Sequence, residues 1–312
     1  MTKKSKRKNK QRMVDLFLDS GAFSAWTQDT KIDIDDYIAF IKKHEDIIDV
    51  YANLDVIGDA KATWRNQRIM EKAGLNPLPV YHLSDEKTSK GRKYLDRCLE
   101  YPYFCLGGMA RGFTPKTRMM FLDRCFNVIC DTPDRMPKTK VHGFGLTGLK
   151  LMLRYPWYSV DSTTWVMSSR MGTILVPRYK NGGWVYDERS WSVCVSSQSP
   201  NTKEAGKHIS TFTPRQRDII IDYIHSKGYK VGASRFKKVK QTHTVRQNER
   251  WAEKRPADPD QKRKLEIIEE EGVSNRYQLR DELNILYFVD LEKSFRKWPW
   301  PFEKGGTTNA IF

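Results

Sequence analysis

Residues 140–163 read KVHGFGLTGLKLMLRYPWYSVDST. A short apolar run, Lys140–Phe144, carries His142-Gly143 and leads to Gly145. An amphipathic stretch follows over 147–154. A second apolar run, Tyr158–Val160, then stops at Asp161-Ser162-Thr163. Strand, helix and strand in this order make a βα unit that joins parallel strands. The same alternation extends upstream. Apolar runs occur at Leu16–Leu18, Val50–Leu54, Leu78–Tyr81 and Tyr103–Leu106, with amphipathic stretches at 34–45, 60–73, 85–100 and 115–130. Six such units predict a parallel sheet with helices between its strands. Eight units would close a barrel, and fewer would leave an open doubly wound sheet.

Downstream the pattern breaks. Over 172–200, Gly182-Gly183 separates two strand-like runs, which predicts an inserted hairpin. Thr213-Pro214 supplies a cap and a first-turn proline for a helix over 213–227, and YKVGA (229–233) reads as a last strand. Pro256 and Pro259 mark a break, after which 261–271 and 276–296 read as C-terminal helices.

The chain has 312 residues, and 39% hydrophobic with 12% aromatic residues is enough to bury a core, which excludes wholesale disorder. No run approaches the ~18 apolar residues of a membrane helix, and the basic N-terminus lacks a signal-peptide core. A cytoplasmic location is expected, host cytoplasm if the protein is viral. Five scattered cysteines argue against a disulfide framework.

The net charge of +17 is concentrated. Residues 1–12 hold seven basic side chains and no acidic one; residues 230–264 hold twelve basic and four acidic. Two local basic segments point to a polyanion such as nucleic acid. A solvated tail and a solvated helix face are the plainer explanation of each segment taken singly.

Polar residues recur where the apolar runs end. They are Asp19-Ser20-Gly21, Asn53-Leu54-Asp55, His82, Gly107-Gly108, His142-Gly143 and Asp161-Ser162-Thr163. At any one position a turn or helix cap accounts for such residues. Six in register fit the mouth of a barrel, where strand C-termini converge. Two carboxylates, Asp19 and Asp161, are the equipment for chemistry at an anomeric carbon, one attacking and one moving protons. Paired glycines such as Gly107-Gly108 allow backbone to approach a flat ligand, or make a tight turn.

These segments resemble the tRNA-guanine transglycosylase superfamily. LDSGAFS (18–24) is similar to its Asp-Ser-Gly-Gly-Phe motif, and NLDVIGD (53–59) to the segment whose Asp reads the base. CLGGMARG (105–112), VHGFGLTG (141–148) and YSVDSTTW (158–165) resemble its Gly-Gly-Leu-Ala segment, its Leu-Met-Gly-Val-Gly strand and the neighbourhood of its nucleophilic Asp. The order is the same over about residues 14 to 180. Two departures stand out. The family's zinc cluster is absent, because Cys98, Cys105, Cys125 and Cys130 lack its spacing, and Ala22 replaces the second glycine. The metal-free pattern is closer to the phage DNA-guanine transglycosylases, which insert 7-deazaguanines.

The resemblance implies an α/β fold, a (β/α)₈ TIM-like barrel with an inserted hairpin and C-terminal helices. The expected organisation is a basic tail (1–13), a barrel (14–233), a basic segment (234–265) and a helical extension packing on the barrel (266–312). Asp161 would be the nucleophile and Asp19 the general base. Asp55 would bind the purine edge, Gly107 and Gly108 would offer backbone contacts to it, and His82 would contribute. Arg170 would touch phosphate, and Lys237, Lys238 and Lys240 of the basic segment would bind nucleic acid. The implied activity exchanges guanine in DNA for a free base such as 7-cyano-7-deazaguanine, with no metal, cofactor or membrane involved. A tRNA substrate is the first alternative; a non-catalytic nucleic-acid-binding barrel or a base-removing glycosylase is the second.

Overall fold

The computed structural model describes residues 14–87, 90–109, 113–146, 148–199 and 205–303. The basic tail and residues 110–112 of the glycine segment lie outside them. The chain forms two compact units. One runs to Asp161 and resumes at Trp298; the other spans Ser162–Lys297.

The first unit alternates strands and helices: β1 (Phe17–Leu18), α1 (Ala22–Thr27), α2 (Ile34–Lys43), β2 (Val50–Tyr51), α3 (Ala60–Lys72), β3 (Val80–His82), α4 (Gly91–Cys98), β4 (Tyr103–Gly107), α5 (Pro115–Ile129), β5 (Lys140–Gly143), α6 (Leu149–Arg154) and β6 (Ser159–Val160). Local chemistry sets the helix starts. Asp33 caps α2 by accepting from the Asp35 and Asp36 N–H groups, Asp59 caps α3, and Thr114 caps α5 ahead of Pro115. In α2, Asp35 and Asp36 sit in the first turn and Lys42 and Lys43 in the last, complementing the helix dipole. Its Tyr37, Ile38 and Ile41 are buried with Leu54 and Met70.

The strands are parallel and adjacent in chain order. β1 pairs with β2, and a bridge from Ala52 to Leu78 joins the end of β2 to the lead-in of β3. β3, β4, β5 and β6 then pair in sequence. Ala52, Val80 and Cys105 form a buried cluster with Phe17 and Phe144 packed against it. All five cysteines are free and buried. The segment from Trp298 completes this unit: Phe302 is fully buried against Phe126 and Tyr155.

The second unit comprises α7 (Thr164–Arg170), β7 (Thr173–Val176), β8 (Arg178–Lys180), β9 (Gly183–Val185), β10 (Trp191–Cys194), α8 (Pro214–Ser226), β11 (Ala233–Val239), β12 (Glu249–Trp251), β13 (Arg263–Glu270) and α9 (Tyr277–Ser294). β7 and β10 pair antiparallel, with the β8–β9 hairpin between them. That hairpin turns through Asn181 and Gly182, both at positive φ (50° and 82°), which suits the right-handed twist of its strands. Helix α8 begins with a capping box between Thr213 and Gln216. The buried Asn284 ties α9 to its neighbours, accepting from the Leu175 N–H and donating to the Trp165 and Thr173 carbonyls.

Two sequence expectations are corrected here. Residues 261–271 are not a helix, so the helical extension expected from 266 does not begin there. Arg263–Glu270 is the central strand of an antiparallel sheet ordered β11–β13–β12. Lys and Glu favour helix in isolation, but pairing on both sides and burial of Leu265, Ile267 and Ile268 override that preference. YKVGA contributes only Ala233, the first residue of β11; Tyr229–Gly232 forms no strand. Gly232 has φ +84°, and a Cβ there would lie 2.7 Å from the Gly272 nitrogen, so this stretch crosses another backbone at close range. Among the described residues, no helix is long and apolar enough to cross a membrane.

Candidate active site

The C-terminal ends of the six parallel strands bring their polar residues together. Ser20, just after β1, donates its hydroxyl to Asp55 Oδ1 at 2.6 Å. Asp55 Oδ2 lies 2.8 Å from His82 Nε2, at the end of β3. Asp85 accepts from the His82 backbone N–H at 2.9 Å, and its carboxylate lies 3.6 Å from His82 Nδ1. Burial alone would lower the pKa of His82, but hydrogen bonds and charge from Asp55 and Asp85 raise it to about 9. His82 is therefore an imidazolium held between two carboxylates at neutral pH. Asp55 retains lone pairs for another donor, because an ionised carboxylate has about four acceptor positions.

Gly107 and Gly108 line the other side of His82. A Cβ on Gly107 would come within 3.1 Å of the His82 ring, and one on Gly108 within 3.1 Å of His82 Cβ. Gly108 also has φ +73°. The pair thus makes room for the imidazole, a requirement that holds with no ligand present.

Asp161 follows β6. Its Oδ1 accepts from the Gly145 N–H at 2.7 Å, while the side chain remains about half exposed (45%). One oxygen is fixed by the backbone and the carboxylate stays open to an incoming group. The buried His142 places Nε2 3.6 Å from Asp161 Oδ1. His142 Nδ1 is 2.6 Å from the Ser159 hydroxyl, which is 2.5 Å from the Tyr103 hydroxyl. Phe17 of β1 stacks on the His142 ring at 4.4 Å, and Phe144 meets it edge-on. These rings form an apolar floor beside the carboxylates.

Asp19 is open to solvent at its edge yet hemmed in by protein. Its pKa is raised, first by burial and then by the charges of Asp55 and Asp161, against backbone hydrogen bonds at Ser20 and Gly21 that lower it. The three carboxylates therefore share one electrostatic neighbourhood, which disfavours the charged form of Asp19. A carboxyl biased toward its protonated form is suited to proton transfer.

The six residues expected at this centre, Asp19, Asp55, His82, Gly107, Gly108 and Asp161, all lie in the first unit at strand ends. Sequence reasoning missed Ser20 as a partner of Asp55, and Asp85, whose signal was its position three residues after His82. The Tyr103–Ser159–His142 chain had no sequence signal. Among the described residues, no group of three or more His, Cys, Asp or Glu side chains could hold a metal ion.

The remaining candidates belong to the second unit. Arg170 ends α7 and is exposed. Lys237 lies 3.4 Å from the Glu249 carboxylate, which also contacts His243 Nε2 at 2.7 Å. Lys238 and Lys240 are exposed and have no carboxylate partner among the described residues. No protein-family model, curated protein or solved structure matches this chain.

Proposed function

We propose that this chain exchanges a base in nucleic acid, replacing guanine in DNA with a free 7-deazaguanine through a covalent Asp161 intermediate. The observation that carries the reading is the unequal pair Asp19 and Asp161. One carboxylate is held by a backbone N–H with its face open, and the other, beside it, is biased toward the protonated form. Two carboxylates driven to different tasks by their surroundings are what a retaining displacement at C1′ requires.

The target nucleotide is extruded from the duplex, because C1′ and the base edge are inaccessible inside it. Asp161 attacks C1′, and the C1′–N9 bond breaks with its electron pair leaving on guanine. Asp19 supplies the proton that the departing base takes up. The free deaza base then enters. Asp19 removes its N9 proton, N9 attacks C1′, and the Asp161 ester bond breaks with net retention. Asp55 accepts from the purine edge, and His82 holds Asp55 in orientation. One glycosidic bond replaces another, so no energy source is needed. The six parallel strands are the wall of a (β/α)₈-type barrel in this reading, and the basic segments hold the polymer.

The test offers DNA and tRNA side by side to parent protein and Asp161→Ala, with labelled guanine or 7-cyano-7-deazaguanine. Label entering DNA, and a quenched protein–DNA adduct on a denaturing gel for the parent alone, supports the proposal. Label entering tRNA alone moves the substrate to RNA. An equal adduct in the variant removes Asp161 from the nucleophile's role.

A further inference from the structure

A cavity of about 520 Å³ lies within the second unit, lined by Arg170, Gly172, Ser196, Arg250, Tyr277 and Arg280 among others, with no carboxylate among the described residues of its wall. Its shape is set by tight packing: a Cβ on Gly172 would lie 2.5 Å from Ser196 Cβ, so only glycine lets these two segments approach. Arg280, in the first turn of α9, is buried. Its Nε and Nη1 donate to the Ser169 and Val273 carbonyls at 2.7 and 2.6 Å, which locks the guanidinium in place. Arg250 Nε donates to the fully buried Glu266 at 2.7 Å, while about a third of its side chain stays exposed. Glu266 is further held by Ser197 and Gln198. One buried carboxylate thus balances one of three arginines. Burial first, and the neighbouring Arg250 charge second, lower the pKa of Arg280, against smaller opposing effects of Asp281 and Glu266.

The mouth carries a flat apolar surface. Tyr277 is 44% exposed and Met171 72% exposed. The face of the β11–β13–β12 sheet that bears Arg250 continues outward from it. Glu266 stands opposite both Arg250 and Phe236, and Lys264 opposite Lys238. The Lys264 ammonium lies 4.3 Å over the Phe236 ring. Neither the Lys238 nor the Lys264 ammonium is paired with a carboxylate among the described residues, whereas the Lys237 ammonium, on the opposite face, is paired with Glu249. Arginine forks in a cavity, an aromatic ring at its mouth and a lysine-and-aromatic track leading away match a nucleic-acid strand with its phosphates and its bases' π-faces.

We propose that this cavity binds a phosphate of single-stranded nucleic acid, with the adjoining base stacked on Tyr277 and the following phosphates on Lys238 and Lys264. This assignment goes beyond base exchange and stands without it. The same phosphate chemistry could come from a free mononucleotide, and the experiment separates the two sources. Binding of a fluorescein-labelled oligo-dT 15-mer to the full chain is titrated at several salt concentrations, with dTMP as competitor. Arg170→Ala and Tyr277→Ala change exposed side chains, and Tyr277→Phe keeps the ring. Arg170→Ala and Tyr277→Ala should each weaken oligo-dT about tenfold, and Tyr277→Phe should stay within about twofold of the parent. Arg170→Ala should also reduce the log–log salt slope by about 0.7, one phosphate contact on a single strand. Unchanged oligo-dT affinity in both alanine variants would overturn the proposal. So would dTMP binding that is tighter than that of the oligomer and is lost in these variants, which would make the cavity a mononucleotide site. Base exchange is read separately, from the protein–DNA adduct, so either reading can fail alone.

Discussion

His82 Nε2 and Asp55 Oδ2 stand 2.8 Å apart with both side chains almost sealed from solvent, and Asp85 approaches the opposite ring nitrogen. The imidazolium is thus an internal counter-ion for two carboxylates. Its removal leaves two buried negative charges facing each other, so His82→Gln should destabilise the protein by about 3–5 kcal/mol at neutral pH, as expected for breaking a buried ion pair. Chemical denaturation measures this directly.

The same relationship sets a pH dependence. The folded pKa of His82 is about 9, above its unfolded value of 6.5. Its contribution is fully present below the unfolded value and declines as pH rises through the folded one. Melting temperature should therefore fall between about pH 6.5 and 9, and the fall should be shallower in His82→Gln. A parent protein with a flat profile there would show that the imidazole is neutral when folded.

Asp19 also has a raised folded pKa, but for a carboxyl this favours the neutral form rather than the charged one. Ionising it costs stability as pH rises through the window between unfolded and folded values, so at neutral pH the charge is a burden. Asp19→Asn should melt at a higher temperature than the parent at pH 7 and lose the difference in acid. The same variant should retain only some adduct formation and fail to complete exchange, since an amide can neither supply the departing base's proton nor accept the N9 proton of the incoming one. Parental turnover by Asp19→Asn would return Asp19 to the part of a turn residue.

Asp161→Ala should reduce base exchange by on the order of 10⁴-fold or more, the range seen when a covalent nucleophile is removed. DNA affinity should stay within a few-fold, because in the proposed exchange this carboxylate contributes a bond to C1′ and no groove contact. Filter binding and adduct formation on the same preparation separate the two effects.

Lys237 and Lys238 are neighbours in sequence with unequal surroundings. Lys238→Gln should flatten the salt dependence of duplex DNA binding by about 0.9, one released counterion. Lys237→Gln should change it less, because Glu249 already neutralises that ammonium. Equal slopes for the two variants would mean that strand face does not matter and that the charge acts diffusely.

Much of the first unit was legible because alternation of short apolar runs with amphipathic stretches is a local signal, and parallel pairing in chain order follows from it. The strand-end placement of Asp19, His82 and Asp161 was legible for the same reason. The link from Ser20 to Asp55 was not, since 35 residues separate them and only the pairing of β1 with β2 brings them together. Gly107-Gly108 was visible as a motif, but its first demand is space for the His82 ring, which depends on the pairing of β3 with β4. The β13 strand was misread because RKLEIIEE carries helix-favouring residues, and its strand character comes from partners on either side.

The first unit takes in a final segment from beyond the second: Phe302 fills a space against Phe126 and Tyr155, and its N–H donates to the Arg135 carbonyl at 3.0 Å. During synthesis on the ribosome, residues up to Asp161 emerge long before Phe302 does. The β1–β6 assembly then waits, with an aromatic hollow uncovered, while some 140 further residues are made. The second unit has all of its described strands and helices, which end by Ser294, in hand before the first is complete, so the order of completion runs against the order of the chain.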